Sequence, residues 1–552
     1  MKPQKLFYIL LILWVVVDML LAVFTPLHAD EAYYALYGQY LDWGYFDHPP
    51  MVALLTAFSD LCYGGYLSIR YATVLLHGAT VWLIWKSLPD KALTRRDALL
   101  FFAIAASLVM FSVYGFMTTP DVPLLFFTAL FFYLYKRYLA TPNWSIALGL
   151  GITFAAMLYS KYMAVLVAGF VLLSNLKLLK DKKVWIAMIL ALLLFVPHIL
   201  WQVRNDFPSL QYHLLDRNTG FRWIYPLEYP LNQLLVFNPV CLCLAAYFCW
   251  KKRKTDDLFE RAGVFTIAGF LLFFWVMTVK GHAEPHWTVA ASVPMIILLW
   301  QELRDMRWEK RVRYGIVPIF CLLMVLRVVA PPLLTFKFVD VLNNRDDYKA
   351  VQARCGNTPL VFLNSFQKPS LYRFYIGGDA VTIGSYYYRR TQFDLWQFDK
   401  ELQGKRVYIL DRNVNRNECD TSNYICNHGK ALFRVRETNA FQGANRIEVT
   451  LNSYRVTKDS LYLDITLYNP YALDYDFAHP EFSTRLYVSY IANDGYVNLS
   501  CSVQPDLVIP AGESVRISTA AGGLPETPFI FCLDNGICQS MNSKPIKLQA
   551  HD

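Results

Sequence analysis

The stretch LFYILLILWVVVDMLLAVFTPLHADEAYY, residues 6–34, decides the fold class of this chain. From Leu6 to Val23 only Asp18 interrupts an apolar run, which with its flanks approaches the roughly 20 residues that cross a bilayer. The run is long for a signal peptide, and no small-residue cleavage site precedes Asp30, so it reads as a retained first membrane helix. Working outward, similar runs recur at Ala98–Met117 and Val184–Leu200, and continue as far as Pro331–Pro332. After Lys337 no run approaches spanning length. The chain of 552 residues is 55% hydrophobic and 17% charged, with mean hydropathy +0.28, which excludes an ordinary soluble enzyme. Two parts needing different solvents are expected: a membrane domain over 1–334 and a water-exposed tail.

Lys and Arg set the orientation, because short cytoplasmic loops carry the positive charge. Basic clusters fall at Lys2 and Lys5, Lys86 to Arg96, Lys136–Arg137, Lys177 to Lys183, Lys251 to Lys254 and Arg304 to Arg313. The intervening loops carry Asp30, Glu31, Asp42 and Asp47, then Asp121, Glu228 and Glu284. The alternation puts the N-terminus in the cytoplasm and the acidic loops on the opposite side. It also makes the net charge of +9 mostly anchoring charge, with no implication of nucleic-acid binding.

About eleven transmembrane helices are expected, over 6–28, 66–86, 97–118, 121–138, 144–159, 162–177, 183–203, 231–250, 261–279, 287–302 and 312–331. The loop at 29–65 reads as amphipathic helices lying along the outer surface around the Pro49–Pro50 corner. An odd count delivers the tail outside the cytoplasm. There, residues 335–440 read as an α/β domain, with strands at Leu360–Asn364 and Arg406–Leu410 and helices at Gln367–Tyr375 and Phe393–Leu402. Residues 441–552 read as an antiparallel β-sandwich, with strands such as Ser460–Tyr468 and Thr484–Ile491. Six of the eleven cysteines lie in the tail, an even count that suggests disulfides; Cys419–Cys426 and Cys532–Cys538 are close enough to pair locally. Asp18, inside the first helix, is expected to hydrogen-bond a neighbouring helix. The tail tyrosines Tyr386, Tyr387 and Tyr388 suit packing or stacking on sugars.

Polar groups at helix mouths are the natural site candidates in such a chain. Four constellations share the outer face: His28-Ala-Asp30-Glu31-Ala-Tyr33-Tyr34 with Gly44-Tyr-Phe-Asp-His48-Pro-Pro-Met51; Thr118-Thr-Pro-Asp121-Val-Pro123; Tyr159-Ser-Lys161-Tyr162; and Lys280-Gly-His282-Ala-Glu284-Pro-His286-Trp287. Each has a bland reading as well. Asp121 caps a helix as readily as it catalyses, and Lys161 snorkels as readily as it binds an anion. His282 and His286 stand four apart, but Pro285 spoils a helical chelate. Together they supply carboxylates for an acceptor and cations for an anionic leaving group, without a nucleotide-phosphate loop or a nucleophilic triad. That inventory suits transfer of a sugar from a lipid phosphate. The phosphate needs cationic stabilisation, and the acceptor needs a carboxylate base.

The order of these motifs resembles the bacterial polyprenyl-phosphate-sugar-dependent glycosyltransferases, relatives of the protein O-mannosyltransferases and the lipid A aminoarabinose transferase. The resemblance covers residues 28–290 and implies a GT-C fold and an inverting transferase in the bacterial inner membrane, its site and tail facing the periplasm. It implies an undecaprenyl- or dolichyl-phosphate sugar donor, a lipid, glycan or protein acceptor, and surrounding membrane lipids as partners. By the resemblance, Asp30, Glu31 and Asp121 are catalytic, while Lys161, Arg70, Lys280, His282 and His286 cradle the donor phosphate. Tyr34, His48 and Glu284 complete the site, and the loop at 204–230, with Arg204, Arg217 and Arg222, covers the donor. A divalent cation (Mg, Mn or Zn) would have Asp30, Asp121 and His282 as its candidate ligands. Aminoarabinose transferases typically carry Lys where this chain has His48, a departure that argues against transfer of aminoarabinose to lipid A. The competing readings are a lipid-sugar flippase and a non-catalytic glycan-binding assembly protein. The first should show internal repeats and mid-membrane charges. The second gives no reason for Asp30, Asp121 and Lys161 to share one face.

Overall fold

The computed structural model describes residues 2–89, 93–216, 220–304, 345–412 and 420–548, apart from 421, 428, 493, 494 and 527; within 305–344 it describes only 318, 322 and 325. The chain forms two compact units, Met1–Asn343 and Asn344–Asp552.

The first unit is helical. α1 (Pro3–Phe24) leads through α2 (Ala29–Gln39) and α3 (Met51–Cys62) to α4 (Leu67–Ser87), α5 (Arg95–Ser107) and α6 (Val109–Val113). Then follow α7 (Asp121–Ala140), α8 (Trp144–Ser160), α9 (Ala164–Ser174), α10 (Lys182–Arg204) and α11 (Pro208–Gln211). α12 (Ile224–Phe237), α13 (Pro239–Lys251), α14 (Leu258–Met277), a 3₁₀ turn at Pro285–Ala291 and α15 (Ser292–Arg304) complete the described part.

Among the described residues, α1, α4, α7, α10 and α14 are long and apolar enough to span a bilayer, and α12 with α13 adds a sixth span if the bent pair counts as one. The surface on α1 and α10 is greasy: Ile12, Leu13, Leu192 and Leu193 are exposed, as lipid-facing side chains must be. α4 is packed inside the bundle instead, where Trp85 stacks on Phe7 of α1 at 4.5 Å between ring centroids. This is a multi-pass membrane protein. The eleven expected spans are not all met by single long helices. The pair expected over 144–177 does form two helices, α8 and α9. The helix expected over 312–331 lies outside the described residues.

Two expected helices are broken, and one side chain, Asn238, links the breaks. The 231–250 run bends by 105° between α12 and α13, where Asn238 adopts φ 59° and Pro239 starts the next helix. The 97–118 run ends as α5 at Ser107 and restarts as α6. The Asn238 side chain donates from Nδ2 to the Ser107 carbonyl at 2.7 Å and accepts from the Cys241 amide at 2.9 Å. Irregular backbone is tolerated at membrane depth only where protein supplies the lost hydrogen bonds, and here the Asn238 side chain serves both breaks. Asp18 meets the expectation for it: His77 of α4 lies 3.0 Å away, and at Gly115 a Cβ would come within 2.4 Å of the Asp18 carboxylate.

The second unit begins with α16 (Arg345–Cys355), β1 (Leu360–Leu363), α17 (Gln367–Ile376), β2 (Ala380–Ile383), α18 (Gln392–Trp396), β3 (Val407–Asp411), β4 (Tyr424–Asn427) and β5 (Lys430–Thr438). Its sheet has order β2-β1-β3-β5-β4, with β1 parallel to β2 and β3 and the β5 pairings antiparallel. Then come β6 (Glu448–Val456), β7 (Ser460–Tyr468), β8 (Tyr475–Asp476), β9 (Arg485–Ala492), β10 (Gly495–Ser500), β11 (Val508–Ile509), β12 (Ser514–Gly522), β13 (Ile530–Asp534) and β14 (Gln539–Met541). They form antiparallel sheets β12-β7-β6, β10-β9-β13-β14 and β11-β8. Leu461, Leu463, Ile465 and Leu467 of β7 alternate inward and share one core with Leu486, Val488 and Tyr490 of β9.

The expectation of a Cys532–Cys538 bond needs correction. Cys355, Cys501, Cys532 and Cys538 are free thiols, whereas Cys426 is disulfide-bonded. The β13–β14 register sets Cys532 opposite Met541, leaving Cys538 beyond the paired residues, so the two cannot meet. Cys419 lies outside the described residues.

Candidate active site

The α1–α2 corner is built around one carboxylate. Glu31 Oε1 accepts from Arg70 Nε at 2.7 Å and from the Thr118 amide at 2.9 Å; Oε2 accepts from Arg70 Nη2 at 2.5 Å and the His28 amide at 3.0 Å. Arg70 also donates to the carbonyls of Ala22, Thr25 and Pro26 at 2.7 to 3.0 Å, which closes the open end of α1. Side-chain exposures of 0% and 1% make this a buried clamp joining α1, α2, α4 and the turn before α7. The sequence resemblance gave Glu31 a catalytic role and Arg70 a place on the donor phosphate. The structure gives both a full set of partners within the protein.

Asp30 lies one residue earlier, about 100° around α2. Its side chain is 37% exposed, with the His28 ring 3.8 Å away. The two acids sit in the first turn of α2, where the helix dipole favours negative charge. Neighbours in sequence, they have opposite environments. One is walled in and the other faces out.

A second buried pair lies across the bundle. Lys161 Nζ, at the end of α8, donates to both oxygens of Asp121 at 2.7 and 2.9 Å, with side-chain exposures of 8% and 4%. Asp121 is the first residue of α7 and meets the positive end of that helix. Tyr34 stands in the field of Asp30, Asp47 and Asp121; burial first, then those charges, hold its hydroxyl well above 10, firmly protonated. Its oxygen lies 3.3 Å from His48 Nε2. Burial, reinforced by Lys161 and His213 and opposed by Asp47 and Asp121, lowers the His48 imidazole from 6.5 to about 3. Asp30, Tyr34, Asp47, His48, Asp121 and Lys161 therefore belong to one electrostatic neighbourhood.

That neighbourhood includes residues the sequence reading passed over. Asp47 accepts from the Tyr37 hydroxyl at 2.7 Å, and the Tyr37 and Tyr45 rings stack at 3.9 Å. The segment at 42–48 is bolted to the end of α10: Trp201 Nε1 donates to Asp42 at 2.7 Å, His198 Nδ1 meets the Trp43 carbonyl at 2.7 Å, and Ser209 donates to the Tyr45 carbonyl at 2.9 Å. Gln202 donates to Ser209 and to the Tyr162 hydroxyl, and His213 reaches the Asp47 carbonyl. At Gly44 a Cβ would come within 2.4 Å of the Trp201 ring, so the residue must be glycine. The available signal was His198 and Gln202, two polar residues four apart on an otherwise apolar helix. The described start of the loop at 204–230 is thus tied down rather than free, and Arg217 lies outside the described residues.

The turn at 280–286 is organised differently. Lys280 is exposed, and His282 Nδ1 lies 3.9 Å from Glu284, both more than a third exposed. The His282 ring packs on Tyr225 of α12 at 5.6 Å, and Gln233 and Thr288 pin the start of the following 3₁₀ turn. Among the described residues no group of three His, Cys, Asp or Glu side chains is placed to hold a metal ion. Lys161 already engages both oxygens of Asp121, so the expected ligand set of Asp30, Asp121 and His282 gains no support.

Comparison with known proteins places this geometry among relatives. Residues 47–201 match the family model described as dolichyl-phosphate-mannose-protein mannosyltransferase, a span that takes in His48, Arg70, Asp121, Lys161 and His198. The lipid A galacturonosyltransferase RgtD of Rhizobium johnstonii is 27% identical over 424 residues, covering 70% of this chain and 86% of its own. Among solved structures, ArnT of Cupriavidus metallidurans superposes with a TM-score of 0.58 at 14% identity, covering 77% of this chain and 97% of ArnT. The same enzyme bound to undecaprenyl phosphate also scores 0.58, over 78% of this chain and 97% of ArnT. At that identity the likeness is one of fold. The resemblance carried by the motifs, to polyprenyl-phosphate-sugar glycosyltransferases of the GT-C fold, is the one these comparisons return.

Proposed function

We propose that this chain, a membrane glycosyltransferase of the GT-C fold that takes its sugar from a polyprenyl-phosphate donor, uses Asp30 as the base that activates the acceptor on the extracytoplasmic face. The observation that carries this reading is the contrast at the α1–α2 corner. Glu31 is saturated by four hydrogen bonds, whereas Asp30 keeps an exposed carboxylate beside Tyr34. A base must reach the proton it removes, and of the two only Asp30 is open to a substrate.

In the reaction the acceptor oxygen attacks the anomeric carbon as its proton passes to Asp30. The bond from that carbon to the phosphate oxygen breaks, with inversion, and the lipid phosphate departs as a monoester. The leaving phosphate gains negative charge and needs nearby cations. Lys161 spends two N–H donors on Asp121 and keeps a third, which suits a shared role between Asp121 and the donor phosphate. Exposed Lys280 offers further positive charge, and His282 and His286 stand in the same turn. Arg70 holds the frame through Glu31.

For the acceptor, the likeness to RgtD favours a lipid A-type glycolipid. The test is to reconstitute the purified protein with radiolabelled undecaprenyl-phosphate sugars and either lipid A or a total glycolipid extract. Label should move to the acceptor with release of undecaprenyl phosphate. Label that stays on every donor tried, with every acceptor, would overturn the reading. Orientation is tested separately, with single cysteines at Thr255→Cys and Ser500→Cys in a background free of other reactive thiols. An impermeant maleimide is expected to label Ser500→Cys from the extracytoplasmic side and Thr255→Cys only after permeabilisation. Labelling of both from one side would contradict the topology.

A further inference from the structure

The outer face of the β10-β9-β13-β14 sheet carries a cluster that plays no part in the site above. On β9, Leu486, Val488 and Tyr490 turn into the sandwich core, so Ser489 and Ile491 point the other way. Alongside them stand Tyr496 and Asn498 of β10 and Gln539 and Met541 of β14, and the Tyr386 amide donates to the Gln539 carbonyl at 2.9 Å, docking the 385–388 loop onto the sheet. Three tyrosine rings gather there. Tyr387 and Tyr496 lie 4.5 Å apart at 74°, and Tyr386 meets Tyr496 at 5.2 Å and 88°.

Polar side chains fix the rings. The Tyr386 hydroxyl donates to Asn498 Oδ1 at 3.0 Å and the Tyr387 hydroxyl to Gln539 Oε1 at 2.9 Å. Asn498 Nδ2 donates to the same Gln539 oxygen at 3.2 Å, and Gln539 Nε2 to Ser489 at 3.2 Å. Yet the apolar surfaces stay open: Tyr387 is 48% exposed, Tyr496 49% and Ile491 63%. In these four strands the only charged residues are Arg485 and Asp534, which face each other at one end of the sheet.

We propose that this face binds neutral sugar rings. A pyranose offers C–H groups on its flat faces and hydroxyls around its rim. Two tyrosine rings set nearly at right angles form a floor and a wall that bury the C–H face. The second N–H of Asn498 and of Gln539 remains for the rim hydroxyls. Rings already pinned by hydrogen bonds lose little freedom on binding. Charge complementarity selects the occupant: Arg485 and Asp534 oppose each other at one end and the remaining strand residues are uncharged, so the face matches a neutral glycan better than an anionic headgroup or phosphorylated partner.

The test is saturation-transfer NMR on the purified full-length protein with maltohexaose, cellohexaose and chitohexaose as probes. At least one should receive saturation on its ring protons, with affinity about tenfold weaker in Tyr387→Ala and Tyr496→Ala and within about twofold of wild type in Tyr387→Phe. Asp30→Asn should bind as wild type does, because the platform is built wholly from residues of the second unit. Absence of transfer to all three probes, equal affinity in both alanine variants, or loss of binding in Asp30→Asn would each overturn the proposal. So would quenching of a dye at Tyr496→Cys by nitroxide lipids in a nanodisc, which would put the face on the bilayer.

Discussion

The segment at 28–48, with His, Tyr, Asp and Glu, and the turn at 280–286, with Lys, His and Glu, are both polar rims of the helical unit, and the chain treats them in opposite ways. The first is engaged almost everywhere: Glu31 by Arg70, Asp47 by Tyr37 and Asp42 by Trp201, while Asp30 is 37% exposed. The second keeps Lys280 exposed and its His282–Glu284 pair loose at 3.9 Å. The difference shows how to sort polar residues at a membrane rim. Groups with every partner supplied by the protein are scaffold, and their desolvation is offset by one another. Groups with spare donors or acceptors are the ones able to meet a ligand.

The contrast can be broken most forcefully at its rigid end. Arg70→Met leaves the Glu31 carboxylate buried and unpaired, a loss of about 3 to 5 kcal/mol that thermal unfolding in detergent should register. Adding Glu31→Gln should recover much of it, and a stable single variant would mean the clamp is not structural. Lys161→Ala comes next. It should weaken donor binding about tenfold or more, as removal of a charge-assisted hydrogen bond does, and unchanged donor affinity would remove Lys161 from the phosphate site.

His48 gives a pH signature. Its imidazole is held neutral down to about 3, whereas in the unfolded chain it takes a proton below 6.5. Its stabilising contribution is therefore complete above pH 6.5 and drains away as pH falls toward 3. Unfolding temperature should drop over that window, and His48→Gln should flatten the drop; an identical profile in the variant would contradict the assignment. The smallest effect belongs to the loose turn. His282→Ala should leave stability unchanged and lower the transfer rate by less than about tenfold, and a larger loss would move the turn into the core of the site.

Most of the fold was legible in the sequence because apolar runs and period-two alternation are local signals. α1, α4, α7, α10 and α14 fall where hydropathy placed them, and β7 matches its expected bounds of Ser460 and Tyr468. The breaks at Ser107 and Asn238 were not legible. Each depends on a hydrogen-bond partner more than a hundred residues away in sequence. The site shows the same limit. Motif order singled out Asp30, Glu31, Asp121 and Lys161, yet nothing in the pair Asp30–Glu31 says which acid is enclosed. That is decided by Arg70 and the Thr118 amide, which only folding brings together. Cys532 and Cys538 make the converse point: sequence proximity suggested a bond that the hairpin register forbids.

The two neighbouring acids therefore offer the most direct test. Transfer rate and donor affinity should be measured side by side for Asp30→Asn and Glu31→Gln in the same reconstituted membranes. Asp30→Asn is expected to cut transfer about 10² to 10⁴-fold while donor affinity and unfolding temperature stay near wild type. Glu31→Gln should lower the unfolding temperature and reduce transfer only in proportion to the folded protein lost. Full transfer by Asp30→Asn, or a stably folded Glu31→Gln that is catalytically dead, would show that the base has been placed on the wrong carboxylate.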